Sequence, residues 1–201
     1  MTLNKITSQV PQVSLPEDVR GDWSVQRFEV TERAAELCNL RAAFGHSRER
    51  IVAGTYTKLC HQGSIVMSDT PTECRDHLPL YYRASGHILI SGLGLGVAIQ
   101  ACLLKLGVTQ VTVIEIANEV IQLVAPHYQA RFGERFEVIQ ADIRTWKPSK
   151  GTKYDAVWHD IWNTLCPDNW EDMKTLKRRF QFYTHWQQCW CEDETHYRQG
   201  R

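Results

Sequence analysis

The feature that most constrains this chain is a glycine turn set between two apolar runs. Gly92-Leu93-Gly94-Leu95-Gly96 follows Ile88-Leu89-Ile90 and precedes Val97–Leu106, which is apolar enough for a buried helix that stops at Gly107. The pattern then repeats. Val111-Thr112-Val113-Ile114 reads as a second strand ending at Glu115, and 118–131 as a second helix. Phe136–Ile139 is a third strand, followed by Asp142, and Tyr154–Trp158 is a fourth, ending at His159-Asp160. Strands that alternate with helices pair in parallel through crossovers. The fold class is therefore α/β: a Rossmann-like three-layer αβα sandwich with a mostly parallel sheet. A weak fifth strand around Gln187–Trp190 and a shortened C-terminal part leave one sheet edge open, and a homodimer would cover it.

The flanks read differently. Residues 1–20, with Pro11 and Pro16, form an irregular or mobile lead-in. From Trp23 to Phe44 the spacing of Ala34, Ala35, Leu37, Cys38, Leu40 and Ala42 suits a helix, with Gly45 near its end. Ile51–Leu59 and Ser64–Met67 flank Gly63 as a β-hairpin, and 70–80 links it to the core. Asp172–Trp186 reads as a helix with a basic stretch at Lys174, Lys177, Arg178 and Arg179, and the tail from Glu192 is polar. This gives residues 1–85 as an N-terminal extension of helix plus β-hairpin, and 86–201 as the core with a C-terminal helix.

Bulk properties narrow the partners. Lys+Arg and Asp+Glu are each 23, so the basic excess of a nucleic-acid binder is absent, and nucleic acid is not an expected partner. No run approaches a membrane span, and Met1–Pro16 lacks the apolar core of a signal peptide. Seven cysteines without a pairing pattern fit a reduced, cytoplasmic setting.

Glycines at a strand-to-helix bend let backbone amides approach a ligand, and the helix N-terminus adds partial positive charge. Gly92, Leu93, Gly94 and Gly96 are the candidate cradle. Glu115 closes the next strand, where a carboxylate can accept both hydroxyls of a ribose. A dinucleotide fingerprint would place its third glycine at position 97, where Val97 stands, which disfavours a nicotinamide enzyme. A degenerate site on a retained fold is the plain alternative.

The segment HILISGLGLGVAIQACLLKLGVTQVTVIE, with Gln140-Ala141-Asp142 and Tyr154–Asp160, resembles class I S-adenosylmethionine-dependent methyltransferases over roughly residues 50–165. The resemblance implies S-adenosyl-L-methionine as cofactor, with Asp142 at the adenine amino group, Ile143 beside it and Ile116 packed on the adenosine. Apolar Ile90 two residues before the first glycine, the hairpin ahead of the core and the Glu73–His77 segment are similar to the spermidine synthase-like branch. Two departures argue against aminopropyl transfer. Leu95 replaces the acid of that branch's glycine motif, and Asp160-Ile161-Trp162-Asn163-Thr164 keeps only the first acid of D-S-x-D-P. The resemblance thus implies a methyltransferase acting on a small-molecule acceptor, with an aminopropyltransferase or a non-catalytic adenosyl-ligand-binding protein as alternatives.

Active sites of open α/β sheets gather at the carboxyl ends of strands. Asp160 is the candidate base, against a helix cap or surface ion pair. His159 is a candidate proton shuttle, against a structural histidine, and adjacent strand residues face opposite sides. Glu73, Asp76 and His77, with Asp69, form a second polar cluster that lines the acceptor pocket if the hairpin folds over the core, and is otherwise a solvated turn. Trp158, Trp162, Trp170, Trp186 and Trp190 could wall a cation or planar substrate, or pack together. His185, Cys189, Cys191 and His196 lack a zinc-knuckle spacing, and no metal is expected.

Overall fold

A computed structural model describes residues 9–44 and 50–199. Gly45, the expected helix end, lies outside the described residues. Two sheets organise the chain. The first holds β1 (Asp18–Arg20), β2 (Trp23–Val30), β3 (Gly54–His61) and β4 (Ser64–Ser68), antiparallel in that order. The second holds β5 (Gly86–Ser91), β6 (Val108–Glu115), β7 (Phe136–Gln140), β8 (Ala156–His159) and β9 (Gln187–Cys189). All its pairs are parallel, in the order β7-β6-β5-β8-β9. The parallel sheet and its crossover helices form the Rossmann-like core.

The central strands β5 and β8 and the end of β6 read as mainly apolar runs because both of their faces are buried, while β7 and β9 carry Glu137, Gln140, Gln187 and Gln188. In β5, Ile88 and Ile90 join one hydrophobic cluster and Leu89 the other. In β6, Val111 and Val113 split from Ile114 in the same way. Helices α4 (Val97–Leu103) and α5 (Asn118–Phe132) pack on the first face, and α6 (Asn169–Phe180) on the second. Helix α7 spans Glu192–Gln199.

The N-terminal part departs from expectation. Trp23–Val30 is a strand that pairs along its whole length with β3, so the helix is confined to α1 (Glu32–Ala43), where Thr31 caps the Ala34 amide. The hairpin is present as β3 and β4, but as half of a four-stranded sheet. Its turn carries positive φ at Gln62 and Gly63, the backbone a tight two-residue hairpin needs. The linker forms two short helices, α2 (Pro71–Asp76) and α3 (Leu78–Arg83). Residues 11–17 are irregular yet tied down. Val10, Val13 and Leu15 are buried in the main core, and the Gln100 side chain donates to the Pro11 and Gln12 carbonyls. Helix α6 ends at Phe180 rather than running to Trp186, and the polar tail is helical. Among the described residues, no helix is long and apolar enough to cross a membrane.

Strand order reverses between β5 and β8, the switch point at which open α/β sheets bind ligands. The glycine turn leaves the end of β5 and Asp160 leaves the end of β8. The Asp160 amide donates to the Ser91 carbonyl at 2.9 Å.

Candidate functional site

The glycine turn is built for close approach. Gly92 has φ +95°, and a Cβ there would meet the Asp160 carbonyl oxygen at 2.1 Å. Gly94 has φ +49°, and its Cβ would strike the Met67 sulfur at 2.3 Å. Gly96 stands behind the turn at the start of α4, against the Tyr128 ring, and does not reach the cavity. The turn is pinned from the next strand. Glu115 Oε2 accepts the Leu93 amide at 2.8 Å, and Oε1 accepts the Ala117 amide at 2.8 Å. A carboxylate has about four lone-pair sites, so both oxygens retain acceptor capacity toward the cavity they line. Met67, reaching over from β4, accepts the Leu95 amide through its sulfur at 3.1 Å. The Leu95 side chain is fully buried in the core.

These residues open onto a cavity of about 940 Å³ between the two sheets, near the upper end of the ~300–1,000 Å³ typical of small-molecule sites. Gly92, Leu93, Gly94, Glu115, Ile116, Asp142, Ile143 and Asp160 all line it. Ile116 is 63% exposed, an aliphatic surface beside the Glu115 carboxylate. Ile143 is buried beneath, and Asp142 accepts the Arg144 amide at 2.8 Å, which sets the loop after β7. The Val97 and Ala98 amides belong to the first turn of α4, where helix geometry leaves N–H groups without intrahelical partners. Both residues line the cavity.

The far end of the cavity is acidic. Folding of the first sheet over the core brings Glu73, Asp76 and His77 opposite Asp160. Glu73 accepts the Ser68 amide at 2.7 Å and the Ser68 hydroxyl at 2.6 Å. Burial first, then the Glu73 and Asp76 charges, raises Asp160 to about 7, with the Trp158 indole N–H offsetting part of the rise although it lies outside hydrogen-bond geometry. Burial lowers His77 to about 4, so its ring is neutral at pH 7.

The structure separates His159 from Asp160. His159 is fully buried on the other side of the sheet, with Nδ1 at 2.9 Å from the Ser91 hydroxyl and Nε2 at 3.3 Å from Gln187. The Phe180 ring packs edge-on against it, and burial lowers it to about 4. It is a hydrogen-bonded part of the sheet interior, not a proton shuttle facing the cavity. Asp69 also leaves the cluster: it is buried and accepts the Val13 and Thr57 amides. The tryptophans divide. Trp162 and Trp190 line the cavity, Trp158 and Trp186 stack in the core, and Trp170 stacks on His196. Cys189 is buried, and Cys191 donates toward Asp76. Arg179 of the basic stretch donates to the Ile143 and Trp146 carbonyls, and Lys177 pairs with Glu192. Among the described residues no three His, Cys, Asp or Glu side chains are grouped to hold a metal. Sequence reading missed Met67 and the wall given by Trp23 and His61, whose rings stack at 4.3 Å; no local pattern marks them.

No protein-family model matches the chain, and no curated protein matches it in sequence. Solved structures similar to it include an S-adenosylmethionine-dependent methyltransferase from Clostridium acetobutylicum, 12% identical, with a TM-score of 0.40 over 56% of this chain and 44% of that one. Coclaurine N-methyltransferase bound to N-methylheliamine and SAH is 17% identical, with a TM-score of 0.45 over 58% and 34%. The [4+2]-cyclase SpnF is 21% identical, with a TM-score of 0.37 over 43% and 33%. The match thus spans less than half of each of these chains.

Proposed function

We propose that this chain binds S-adenosyl-L-methionine between Gly92–Gly94, Glu115, Ile116 and Asp142, and transfers its methyl group to a small-molecule acceptor lodged beside Asp160. One observation carries the reading: a buried carboxylate at the end of β6 holds the glycine turn of β5 by a backbone hydrogen bond and still faces the cavity. That is the arrangement a ribose diol requires from a carboxylate fixed next to backbone donors. The fit extends to the flanks. Ile116 offers an uncovered apolar surface for a flat base, and Asp142 sits at the same end of the cavity with a spare carboxylate oxygen.

When bound, a sulfonium donor supplies an electrophilic methyl group. The chain's task is then to hold the two partners in line and to exclude water, and a well-oriented pair accounts for ~7–11 kcal/mol of barrier reduction. Asp160 can take a proton from the acceptor, since a carboxylate raised to about 7 is matched to neutral pH as a general base. Leu95, buried where an aminopropyltransferase would carry an acid, supports methyl over aminopropyl transfer.

Calorimetric titration with S-adenosylmethionine and with its demethylated product tests the reading. Saturable binding of both, weakened by Glu115→Gln, is the expected result. No heat and no thermal shift with either ligand would overturn it.

A further inference from the structure

The cradle holds a reactive atom that methyl transfer does not use. Met67, on the edge strand β4, is half-buried and lines the cavity, and its sulfur lies over the glycine turn. One side of that sulfur is closed. The Leu95 amide donates to it at 3.1 Å, and a Cβ on Gly94 would stand only 2.3 Å away. A thioether sulfur carries two lone pairs. The turn engages one, and the other is left for a molecule that arrives through the cavity. The remaining sulfur atoms sharpen the contrast. Of the three methionines, Met1 lies outside the described residues and Met173 is wholly buried in α6. Burial pushes the Cys74 and Cys189 thiols up, and Cys102 up to about 12, away from the thiolate form that oxidants attack. A thioether needs no such deprotonation.

We infer that Met67 is a modification site: a small peroxide that enters the cavity oxidises it to the sulfoxide, and the new oxygen shuts the cradle. The free sulfur lone pair attacks one peroxide oxygen. The O–O bond breaks, an S–O bond forms, and the second oxygen leaves as water with both peroxide protons. Sulfur loses two electrons and the peroxide gains them. Gly94 and Leu95 block the opposite side, so the oxygen projects into the space beside Gly92–Gly94. A polar group then stands where a soft apolar one did, and the sulfur becomes chiral. Attack from one side yields one epimer. A ligand in the cradle in turn covers the sulfur. The inference rests on the adenosyl-donor reading only in naming the ligand that is excluded.

The test treats the whole chain with hydrogen peroxide and then with dithiothreitol. The second reagent restores reversibly oxidised thiols, including those of Cys38 and Cys166, which are not buried, and leaves methionine sulfoxide in place. Peptide mass spectrometry should find Met67 oxidised and Met173 intact. In the digested peptide, one of the two epimer-specific methionine sulfoxide reductases should reverse the change and the other should not. By calorimetry the oxidised chain should bind SAH at least ~10-fold more weakly, about the worth of one hydrogen bond. In Met67→Leu, peroxide should leave the SAH affinity as it was before treatment. Saturating SAH should slow oxidation of Met67 in the parent chain, an arm that stands even if the variant fails to fold. An equal mixture of epimers, oxidation of Met173 as fast as that of Met67, or no protection by bound SAH overturns the inference. If SAH binds alike before and after oxidation of Met67, this inference falls and the donor reading stands. If SAH does not bind even the untreated chain, the donor reading falls, and single-epimer oxidation at Met67 still carries the modification site.

Discussion

Gly92→Ala and Gly94→Ala place the same methyl group two residues apart in one turn, yet the structure assigns them different costs. At Gly92 the new Cβ falls 2.1 Å from the Asp160 carbonyl oxygen, a backbone atom whose own amide is bound to Ser91 across the β5–β8 pair. It cannot move without opening that ladder. The φ of +95° adds strain, since it lies well beyond the left-handed region that an L residue tolerates. Overpacking of ~1–3 kcal/mol and backbone strain of ~1–3 kcal/mol give about 4 kcal/mol. At Gly94 the obstruction is the Met67 sulfur, the far part of a flexible side chain, and φ is +49°. Met67 can rotate away at the cost of the hydrogen bond it accepts from the Leu95 amide, so about 1–2 kcal/mol is expected. For a chain of this length each kcal/mol shifts Tm by ~2–4 °C. Gly92→Ala should therefore melt about 8–16 °C below the parent and Gly94→Ala about 2–8 °C below it, read by differential scanning calorimetry. The adenosyl ligand should separate them again, because at Gly94 the methyl group and the displaced thioether both intrude on the cradle. Equal melting losses, or a larger loss at Gly94, would refute the claim that β5 and β8 are locked at the switch point.

The remaining expectations test separate parts of the molecule. Saturation at 100 times Kd stabilises a folded protein by ~2.7 kcal/mol, so S-adenosylmethionine or its product should raise Tm by about 5–11 °C in a thermal scan; Glu115→Gln should remove most of that rise. Asp160 has a folded value of about 7, above its ordinary carboxylate value, so the folded state binds the extra proton and stability falls as pH rises from about 4 to 7. Asp160→Asn should erase that slope and melt above the parent at pH 8, with the difference vanishing near pH 4. His159→Ala should cost ~2–4 kcal/mol by denaturant unfolding, because it leaves a cavity and strands the Ser91 hydroxyl, while the affinity for SAH in calorimetry stays unchanged.

How far the residues disclosed this arrangement follows from which forces are local. The buried parallel strands were legible because Ile88–Ile90, Val111–Ile114 and Ala156–Trp158 face apolar layers on both sides, so their runs are apolar but for Thr112. The glycine turn and Glu115 were legible because backbone geometry restricts which residues can stand there. Trp23–Val30 was not. Its buried positions, Ser24, Val25 and Val30, follow no clean alternation, and its pairing partner β3 lies some thirty residues on in sequence. The end of α6 at Phe180 was also hidden. No glycine or proline stops it; a tertiary bond does, as the Tyr154 amide donates to the Tyr183 carbonyl and turns the chain toward β9.

The acidic end of the cavity shows the same division in a sharper form. Glu73, Asp76 and His77 announce polar chemistry, but whether they face solvent or ligand depends on where β3 and β4 carry them. Two observations place them toward the cavity. Asp69 fastens the segment by accepting amides from Val13 and Thr57, which joins the N-terminal strap to the hairpin ahead of α2. Met67 then bonds the glycine turn itself. These bonds hold the first sheet on the core, and α2 carries Glu73 and Asp76 to the cavity that Asp160 also lines. Loosening that hold should affect ligand binding before it affects the parallel sheet. Asp69→Asn, which weakens two amide contacts on a residue 1% exposed, should reduce the affinity for S-adenosylmethionine and raise hydrogen exchange in β3 and β4, while the amides of β5 and β6 stay protected. Uniform loss of protection across both sheets would show instead that the two units unfold as one, and that the acidic face has no independent hinge.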